Sequence, residues 1–267
     1  MNVRKIVVKV GTSTLTYDSG LVNLRRIELL ARTLADIKNS GIEVTLVTSG
    51  AISVGMGKLG IYKRPSKTRE KQALAAIGQV ELMDLYSNFF GEYGVTVSQL
   101  LLTKDVIEND ERRENALGTL DTLLSYGVVP IINENDTIST YEIEFGDNDT
   151  LSAYVATLIK ADLLVLLTDI DGLYDGDPKQ NFNAKLIDRV EKITEPIRAL
   201  AGGSGTSRGT GGMSTKLDAA EIAANAGIDT IIANGSQPKI LYDIIEGKPT
   251  GTFFCGRIKS DCNERKD

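Results

Sequence analysis

The chain alternates, almost from end to end, between short runs of β-branched and apolar residues and longer segments with helical periodicity. Strand-length runs separated by helix-length segments are typical of βαβ units, which build a mainly parallel sheet with helices on both faces. We predict an α/β fold, an open αβα sandwich, with one domain over residues 1–260 and a tail over residues 261–267. Ligand-binding loops are expected at the carboxyl ends of the parallel strands.

The alternation predicts six strands and six main helices. The predicted strands are 5–10, 43–48, 96–101, 128–133, 163–168 and 230–233. The predicted helices are 24–39, 71–90, 112–126, 149–160, 213–225 and 238–246. The glycine-dense segment 202–212 is interpreted as a loop within the fold, because a helix and a strand of the same kind follow it and interdomain linkers usually separate independent cores.

The chain contains no histidine among its 267 residues. This excludes a Ser-His-Asp triad, an imidazole base and any histidine metal ligand. Any chemistry must therefore use Lys, Asp, Asn, Ser, Thr and backbone amides, with or without a hard metal ion. The formal net charge of -6 is opposite to the basic character of nucleic-acid-binding proteins, so a nucleic-acid partner is not expected.

The sequence also predicts a cytoplasmic enzyme with no membrane partner. No apolar stretch approaches the length of a membrane span, and the apolar run 6–8 is too short for the core of a signal peptide. Cys255 and Cys262 are interpreted as reduced thiols, because secreted disulfide scaffolds are small and rich in cysteine.

Two glycine-containing loops lie where an α/β protein binds phosphates. Segment 9–13 ends the first predicted strand and begins with Lys9, and segment 209–216 leads into a predicted helix and ends with Lys216. Glycine lets backbone amides approach an anion closely, and a helix N-terminus favours negative charge. Each loop by itself could be a plain turn with a solvated lysine, but two such loops on one sheet indicate a site for nucleotide phosphates.

Other glycine patterns do not support nucleotide binding. Segment 55–60 matches G-x-G-x-x-G, but it falls late in the apparent helix after the second strand, whereas a dinucleotide fingerprint occupies the turn between a strand and its helix. The chain has no G-x-x-x-x-G-K-[ST] segment, which excludes the P-loop class, and a protein-kinase H-R-D loop requires histidine.

A third loop, at residues 47–51, closes the second predicted strand and opens a helix. Its amide-rich turn suits a carboxylate or phosphate oxygen. The alternative interpretation is a helix N-cap, in which Ser49 or Thr48 accepts hydrogen bonds from the first helical amides.

Carboxylates and side-chain amides are concentrated between residues 133 and 149. One set, at residues 133–136, follows the fourth predicted strand, and a second set, at residues 146–149, precedes a helix. The two sets can therefore meet at one edge of the sheet, where they suit a ligand with an ammonium group and several oxygens. The candidate binding residues are Asp136, Asn148 and Asp149. For Glu134 and Asp147, helix capping and solvated loop charge are the favoured interpretation.

Six segments together resemble the amino-acid kinase family. They occur in the order of the family and span nearly the whole chain, which makes their combination specific although each is weak alone. The segments are 8–13, 47–51, 130–136, 145–149, 167–174 and 209–216.

The resemblance implies the amino-acid kinase fold and transfer of a phosphoryl group from ATP, with Mg²⁺ bound mainly through ATP phosphates, to the side-chain carboxylate of L-glutamate. The product is L-glutamyl 5-phosphate, the first intermediate towards proline. By analogy, Lys9 and Lys216 would neutralise the moving phosphoryl group, and Asp149 would orient them. The residues implied for glutamate, in the N-terminal part, are Ser49, Asn133, Asp136 and Asn148. Those implied for ATP, besides Lys9, are Thr168, Asp169, Thr210, Gly211, Gly212, Met213, Ser214, Thr215 and Lys216, in the C-terminal part.

Further properties follow from the resemblance alone. It implies a homo-oligomer, either a dimer or a tetramer, and proline as a possible feedback inhibitor. Many members carry a C-terminal PUA domain, and the expectation for this chain is a kinase domain without one.

The chemistry agrees with the composition. A glutamate side chain, with an ordinary pKa of about 4.3, is already ionised at neutral pH, so its phosphorylation requires no general base. Catalysis reduces to holding two anions in line while their charge is neutralised. Acetylglutamate or aspartate kinase activity stays an alternative, as does a non-catalytic nucleotide or amino-acid sensor. Asp136 favours free glutamate, because acetylation would remove the α-ammonium group that a carboxylate can bind.

Overall fold

A computed structural model describes most of the chain. The described residues are 3–17, 21–103, 105–139, 148–178, 180–181, 183–201 and 212–256.

Strands and helices alternate along these residues. The strands are β1 (Lys5–Val10), β2 (Glu43–Val47), β3 (Val97–Leu102), β4 (Val129–Glu134), β5 (Leu163–Thr168), β6 (Arg189–Val190), β7 (Asp229–Asn234) and β8 (Thr252–Phe254). The helices are α1 (Thr12–Leu15), α2 (Leu24–Asn39), α3 (Ala51–Lys58), α4 (Thr68–Gly91), α5 (Asp105–Glu108), α6 (Asp110–Ser125), α7 (Asn148–Leu158), α8 (Glu195–Leu200), α9 (Met213–Asn225) and α10 (Ile240–Ile245).

In the described part of the chain, the strands form one eight-stranded sheet in the order β3-β4-β2-β1-β5-β7-β8-β6. All neighbouring strands pair in parallel except β7 and β8, which are antiparallel. From β1 the chain continues to β2 and then to β3 at the edge of the sheet, returns to β4 between β3 and β2, and crosses to β5 on the other side of β1. Such a change of direction opens a crevice at the carboxyl ends of the strands.

Helices cover both faces of the sheet, so the predicted αβα sandwich is confirmed. Successive strand side chains point to opposite faces, and on β1 this separates Ile6, Val8 and Val10 from Val7. The first three belong to a core formed with α2, α3, α4 and α10. Val7 belongs to a second core formed with α6, α7 and α9. By the same alternation, Lys9 faces the layer that contains α7 and α9.

The sequence predicted the main elements closely. The bounds of β1, β5, α2 and α9 agree with the structure, and the other predicted elements are displaced by at most three residues at either end. The elements that were not predicted are β6, β8, α1, α5 and α8. Each has two to six residues, too few to show a hydrophobic period.

The G-x-G-x-x-G match lies in a helix crossing. Gly55 is in α3 and Gly78 is in α4, and the two helix backbones touch there. A Cβ atom on Gly55 would lie 2.0 Å from the Leu74 carbonyl oxygen, and one on Gly78 would lie 1.8 Å from the Ala51 carbonyl oxygen. Neither position has room for a side chain, so these glycines serve close packing and the rejection of a dinucleotide fingerprint was correct.

Among the residues that the structure describes, no helix combines the length and the apolar character that crossing a bilayer requires.

Candidate active site

Lys9 and Lys216 meet at a single buried carboxylate. Lys9 is the penultimate residue of β1, and Asp149 is in the first turn of α7. The Lys9 Nζ atom lies 2.6 Å from Asp149 Oδ1, and the Lys216 Nζ atom donates a hydrogen bond of 3.0 Å to Asp149 Oδ2. All three side chains are at least 91% buried. Two lysines far apart in the chain therefore bring their ammonium groups together at Asp149.

The two ammonium groups control the ionisation of Asp149. Burial by itself would raise the pKa of this carboxyl group, because desolvation penalises the charged form. Attraction to Lys9 and Lys216, together with hydrogen bonds to both, outweighs burial and holds the pKa of Asp149 well below its ordinary value. The carboxylate is consequently ionised throughout the physiological range and holds both lysines at the carboxyl ends of the strands.

The second lysine loop enters the site through α9. Lys216 lies one turn inside the helix, and the Thr215 hydroxyl is 2.9 Å from Asp149 Oδ2. Met213 and Ser214 complete the first turn after Gly212. The structure brings this part of the predicted ATP loop to the central carboxylate, whereas Thr210 and Gly211 lie outside the described residues.

Thr168 and Asp169 stand at the end of the neighbouring strand. Thr168 is the last residue of β5, which pairs directly with β1, and its hydroxyl donates to Asp169 Oδ1 at 3.2 Å. Thr168 is buried and Asp169 is exposed. Both therefore lie on the side of β1 that leads to β7, opposite the residues predicted for glutamate.

Three of the residues predicted for glutamate, Ser49, Asn133 and Asn148, form a hydrogen-bonded cluster at the ends of β2 and β4. The Asn148 Nδ2 atom lies 2.8 Å from the Thr48 carbonyl oxygen, 3.0 Å from Ser49 Oγ and 2.8 Å from Asn133 Oδ1. Asn133, Asn148 and Ser49 are all buried. Residues separated by about 100 positions in the sequence thus form one polar surface.

The hydroxyl groups of Thr48 and Ser49 do not cap α3, the helix that follows β2. Gly50 is the N-cap of α3, and no side chain accepts a hydrogen bond there. Its φ of 94° is a left-handed conformation that glycine adopts without steric cost. The N-cap interpretation of Thr48 and Ser49 is therefore wrong, and the Ser49 hydroxyl points to Asn148 instead.

Two buried acceptor oxygens, one in this cluster and one just after β4, have no partner in the described part of the chain. They are Asp136 Oδ1 and Asn148 Oδ1. Buried polar groups are normally paired, so an unpaired set at the carboxyl ends of the strands indicates a ligand that supplies donors. A primary ammonium group, with three donors and a positive charge, matches both oxygens.

The carboxyl group of Asp136 has a pKa close to neutral pH. Burial, and secondarily the nearby negative charge of Glu134, raise the pKa of Asp136 to about 7, although Arg64 opposes the shift. A cation placed against this carboxylate would reverse the effect. Its ionisation is therefore coupled to the charge of whatever binds beside it.

The interpretation of Glu134 as a solvated loop charge is wrong. Glu134 is the last residue of β4 and is 5% exposed. Its carboxylate accepts a hydrogen bond from the Ser139 hydroxyl. The strand extends one residue further than predicted, which turns Glu134 into the interior. Asp147 lies outside the described residues.

Sequence reasoning missed several residues that support the site. Gln79 of α4 accepts a hydrogen bond of 2.8 Å from Asn133 Nδ2, and Tyr86 of the same helix shares one of 2.8 Å with the Thr48 hydroxyl. The available signal was Gly78, a glycine inside a helical pattern beside a polar residue, which marks close packing.

The central carboxylate is not arranged as a metal ligand. Both Asp149 oxygens contact ammonium groups, whereas Mg²⁺ prefers free carboxylate, phosphate and water oxygens. The donor set fits a metal ion held mainly by phosphates of a bound nucleotide, with the lysines alongside.

Comparison with known proteins identifies the class of protein to which this fold and this site belong. A family model described as the amino acid kinase family matches residues 4–234. The chain belongs to the amino acid kinase family. Its curated relatives include the glutamate 5-kinase of Clostridium perfringens, which is 56% identical over 258 residues, covering 95% of this chain and 96% of the relative.

A second relative is longer than this chain. The glutamate 5-kinase of Carboxydothermus hydrogenoformans is 54% identical over 259 residues, covering 97% of this chain and 69% of the relative. The similarity in sequence thus extends along the whole predicted kinase domain.

Solved structures with the same fold are more distant in sequence. The UMP kinase from Bacillus anthracis has a TM-score of 0.63 at 17% identity, with 96% of this chain and 97% of that chain covered. The UMP kinase from Ureaplasma parvum has a TM-score of 0.65 at 15% identity, with 96% and 100% covered. At such identities the likeness establishes the amino-acid kinase fold alone.

Proposed function

We propose that this chain is a glutamate 5-kinase, which transfers a phosphoryl group from ATP to the side-chain carboxylate of L-glutamate and forms L-glutamyl 5-phosphate, the first step of proline biosynthesis. The single structural observation that supports this function best is the shared carboxylate of Asp149. It holds Lys9 and Lys216 together next to Asn148 in the chain, and both Asn148 and Asp136, which follows β4, keep an acceptor oxygen without a partner among the described residues. An anion-neutralising centre thus adjoins a site for an ammonium-bearing acceptor.

The two sides of β1 divide the substrates. On the β2 and β4 side, Asp136 and Asn148 Oδ1 bind the α-ammonium group of glutamate, with Ser49 and Asn133 next to them. On the β5 side, Thr168, Asp169 and the segment from Gly212 to Lys216 bind ATP. Mg²⁺ supplies charge neutralisation of the triphosphate when bound. The remaining parts of the ATP loop, Thr210 and Gly211, belong to this proposal on the family resemblance.

The transfer needs no proton acceptor. An ionised carboxylate oxygen of glutamate attacks the γ-phosphorus, the bond between that phosphorus and the β,γ-bridging oxygen breaks, and ADP leaves. Lys9 and Lys216 approach from different elements and neutralise the charge spread over the transferred oxygens. Asp149 positions both ammonium groups before substrates bind, so little reorganisation accompanies the reaction.

Hydroxylamine trapping tests the function directly, because an acyl phosphate gives a hydroxamate. We expect ADP release and hydroxamate formation with L-glutamate, and much lower rates with N-acetylglutamate, aspartate, UMP or isopentenyl phosphate. A preference for N-acetylglutamate or aspartate would assign the chain to another kinase of the family. Binding of ATP and glutamate without ADP release would identify a sensor.

Ionisation of Asp136 is expected to control glutamate binding. Since its pKa in the free protein is raised to about 7 and only the ionised form attracts an ammonium group, kcat/KM for glutamate should rise between pH 6 and 8 and level off above. The measurement is kcat/KM against pH, with Asp136→Asn as the variant that lacks the inflection. A flat wild-type profile across this range would contradict the role.

The same raised pKa predicts the sign of a stability effect. The contribution of Asp136 to stability is fully present below the ordinary aspartate pKa of about 4 and is lost as pH rises through about 7. Asp136→Asn should therefore unfold at a higher temperature than the ligand-free wild type at pH 8, and denaturation scans at pH 5 and 8 measure the difference.

Homo-oligomerisation, feedback inhibition by proline and a cytoplasmic location belong to the proposal as properties implied by the family resemblance. Proline shares with glutamate a cationic α-nitrogen and an α-carboxylate, so the group that Asp136 would bind is present in both.

A further inference from the structure

We infer that Gln79 is a positioning residue for glutamate: it fixes the orientation of the Asn133 and Asn148 side-chain amides, so that Asn148 Oδ1 faces the α-ammonium group as an acceptor. This inference rests on the proposed function. Gln79 is 8% exposed and belongs to α4, a helix that carries none of the residues predicted for either substrate.

The helix crossing brings Gln79 to the site. Gly78 and Gly55 leave no space for side chains between α3 and α4, which draws the α4 backbone towards the carboxyl ends of the strands. On β4, Asn133 follows the alternation of Ile131 and faces the layer that contains α4. The two side chains consequently meet inside the protein, with Asn133 Nδ2 donating to Gln79 Oε1 at 2.8 Å.

Backbone groups set the direction of the amide chain. The Glu134 backbone N–H donates to Asn133 Oδ1 at 3.0 Å, so this atom must be the oxygen. The Thr48 backbone carbonyl accepts from Asn148 Nδ2 at 2.8 Å, so that atom must be the nitrogen. Asn148 Nδ2 then donates to Asn133 Oδ1, and Asn133 Nδ2 is left to face Gln79, which must present its oxygen.

Each end of this chain of hydrogen bonds has one unpaired atom in the part of the protein that is described. At the ligand end the atom is Asn148 Oδ1, an acceptor, and at the other end it is Gln79 Nε2, a donor. The backbone groups of Glu134 and Thr48 set the direction of the amides, and the Gln79 acceptor pairs the remaining donor of Asn133. This bond holds the Asn133 side chain in place and, through it, keeps Asn148 Oδ1 at the ligand end. This orientation therefore favours, as the substrate that receives the phosphoryl group, a carboxylic acid with a free amino group.

The test separates this role from a general effect on packing. Gln79→Met preserves the length of the side chain but removes the acceptor, and Gln79→Glu keeps an acceptor for Asn133 Nδ2 while a second oxygen replaces the unpaired nitrogen. For Gln79→Met we expect the KM for glutamate to rise about tenfold, the scale of one lost hydrogen bond, with kcat and the KM for ATP unchanged. The preference for glutamate over glutarate, which lacks the amino group, should fall equally.

For Gln79→Glu, the expected KM for glutamate stays within about threefold of the wild type. A matched control is Gln99→Met, which changes an exposed glutamine of β3 and should alter neither constant. The inference is overturned if Gln79→Met keeps the wild-type KM for glutamate, or if it lowers kcat, ATP binding and thermal stability together. Should Gln79→Met not fold, the KM of Gln79→Glu decides, since a tenfold increase there contradicts the inference.

The wild-type protein separates failure of this inference from failure of the proposed function. If the wild type forms no hydroxamate from glutamate, the proposed function is wrong. If it does and the variants behave as packing defects, only the role of Gln79 is wrong.

Discussion

Lys9→Ala and Lys216→Ala are each expected to lower kcat by about two to three orders of magnitude, the scale for losing one preorganised donor to a transition state. Both ammonium groups are buried, at 7% and 6% exposure, and are held by the same carboxylate. In this low-dielectric setting a charge stabilises the transferred phosphoryl oxygens far more than it would in water. The KM for glutamate should change much less than kcat.

Lys5→Ala supplies the matched control for these variants. Lys5 is at the other end of β1 and pairs at 3.1 Å with Glu43, at partly exposed positions, so its loss removes a lysine from the same strand without touching the site. Steady-state kinetics of the three purified variants, with far-ultraviolet circular dichroism to verify folding, decide the matter. Near-normal turnover in both Lys9→Ala and Lys216→Ala would refute their assigned role.

Asp149→Asn is expected to cost about 3–5 kcal/mol of stability, as is usual when one partner of a buried ion pair is removed. Two buried ammonium groups would then lie close together without a counter-charge. Turnover should fall as well, because the lysines lose the group that positions them. The free energy of unfolding, measured by urea titration at neutral pH, gives the magnitude, and unchanged stability would show that Asp149 does not hold the pair.

The lowered pKa of Asp149 determines how the difference in unfolding free energy between the wild type and Asp149→Asn depends on pH. Its stabilising contribution is present at every pH above the ordinary aspartate value of about 4 and is lost only at lower pH, as the folded protein takes up the proton. The gap between wild type and Asp149→Asn should therefore stay constant from pH 6 to 8. Asp162→Asn is a suitable control, since the exposed Asp162 accepts two backbone hydrogen bonds without a buried cation.

Binding of ATP gives a second measurement on the same variant. The phosphates would restore negative charge beside Lys9 and Lys216, so ATP should raise the melting temperature of Asp149→Asn by more than that of the wild type. An equal or smaller shift would contradict the charge argument.

The sequence predicted the layers of the fold because the pattern of each main element depends on local spacing. A short run of β-branched residues identified β1, and a 3.6-residue period identified α2 and α9. The short elements β6 and β8 carry no such period, and β8 is the antiparallel member of the sheet. Its pairing with β7 is a long-range contact that local spacing does not encode.

For the site, the sequence predicted which residues belong to it better than how they interact. Lys9, Asp149 and Lys216 were predicted from glycine loops and the family resemblance, but only the crossing of α7 and α9 over β1 brings both lysines to opposite oxygens of one carboxylate.

The sequence by itself determined the chemical possibilities of this protein. A chain without histidine, with two lysine loops and a group of acidic and amide residues at predicted strand ends, can neutralise and orient anions but has no imidazole base. Only the tertiary structure decided that Glu134 is buried, that Asp136 keeps an unpaired oxygen and that Gln79 joins the amide chain. The physical reason is that desolvation and hydrogen-bond direction depend on neighbours distant in the sequence, which become adjacent only when the helices pack on the sheet.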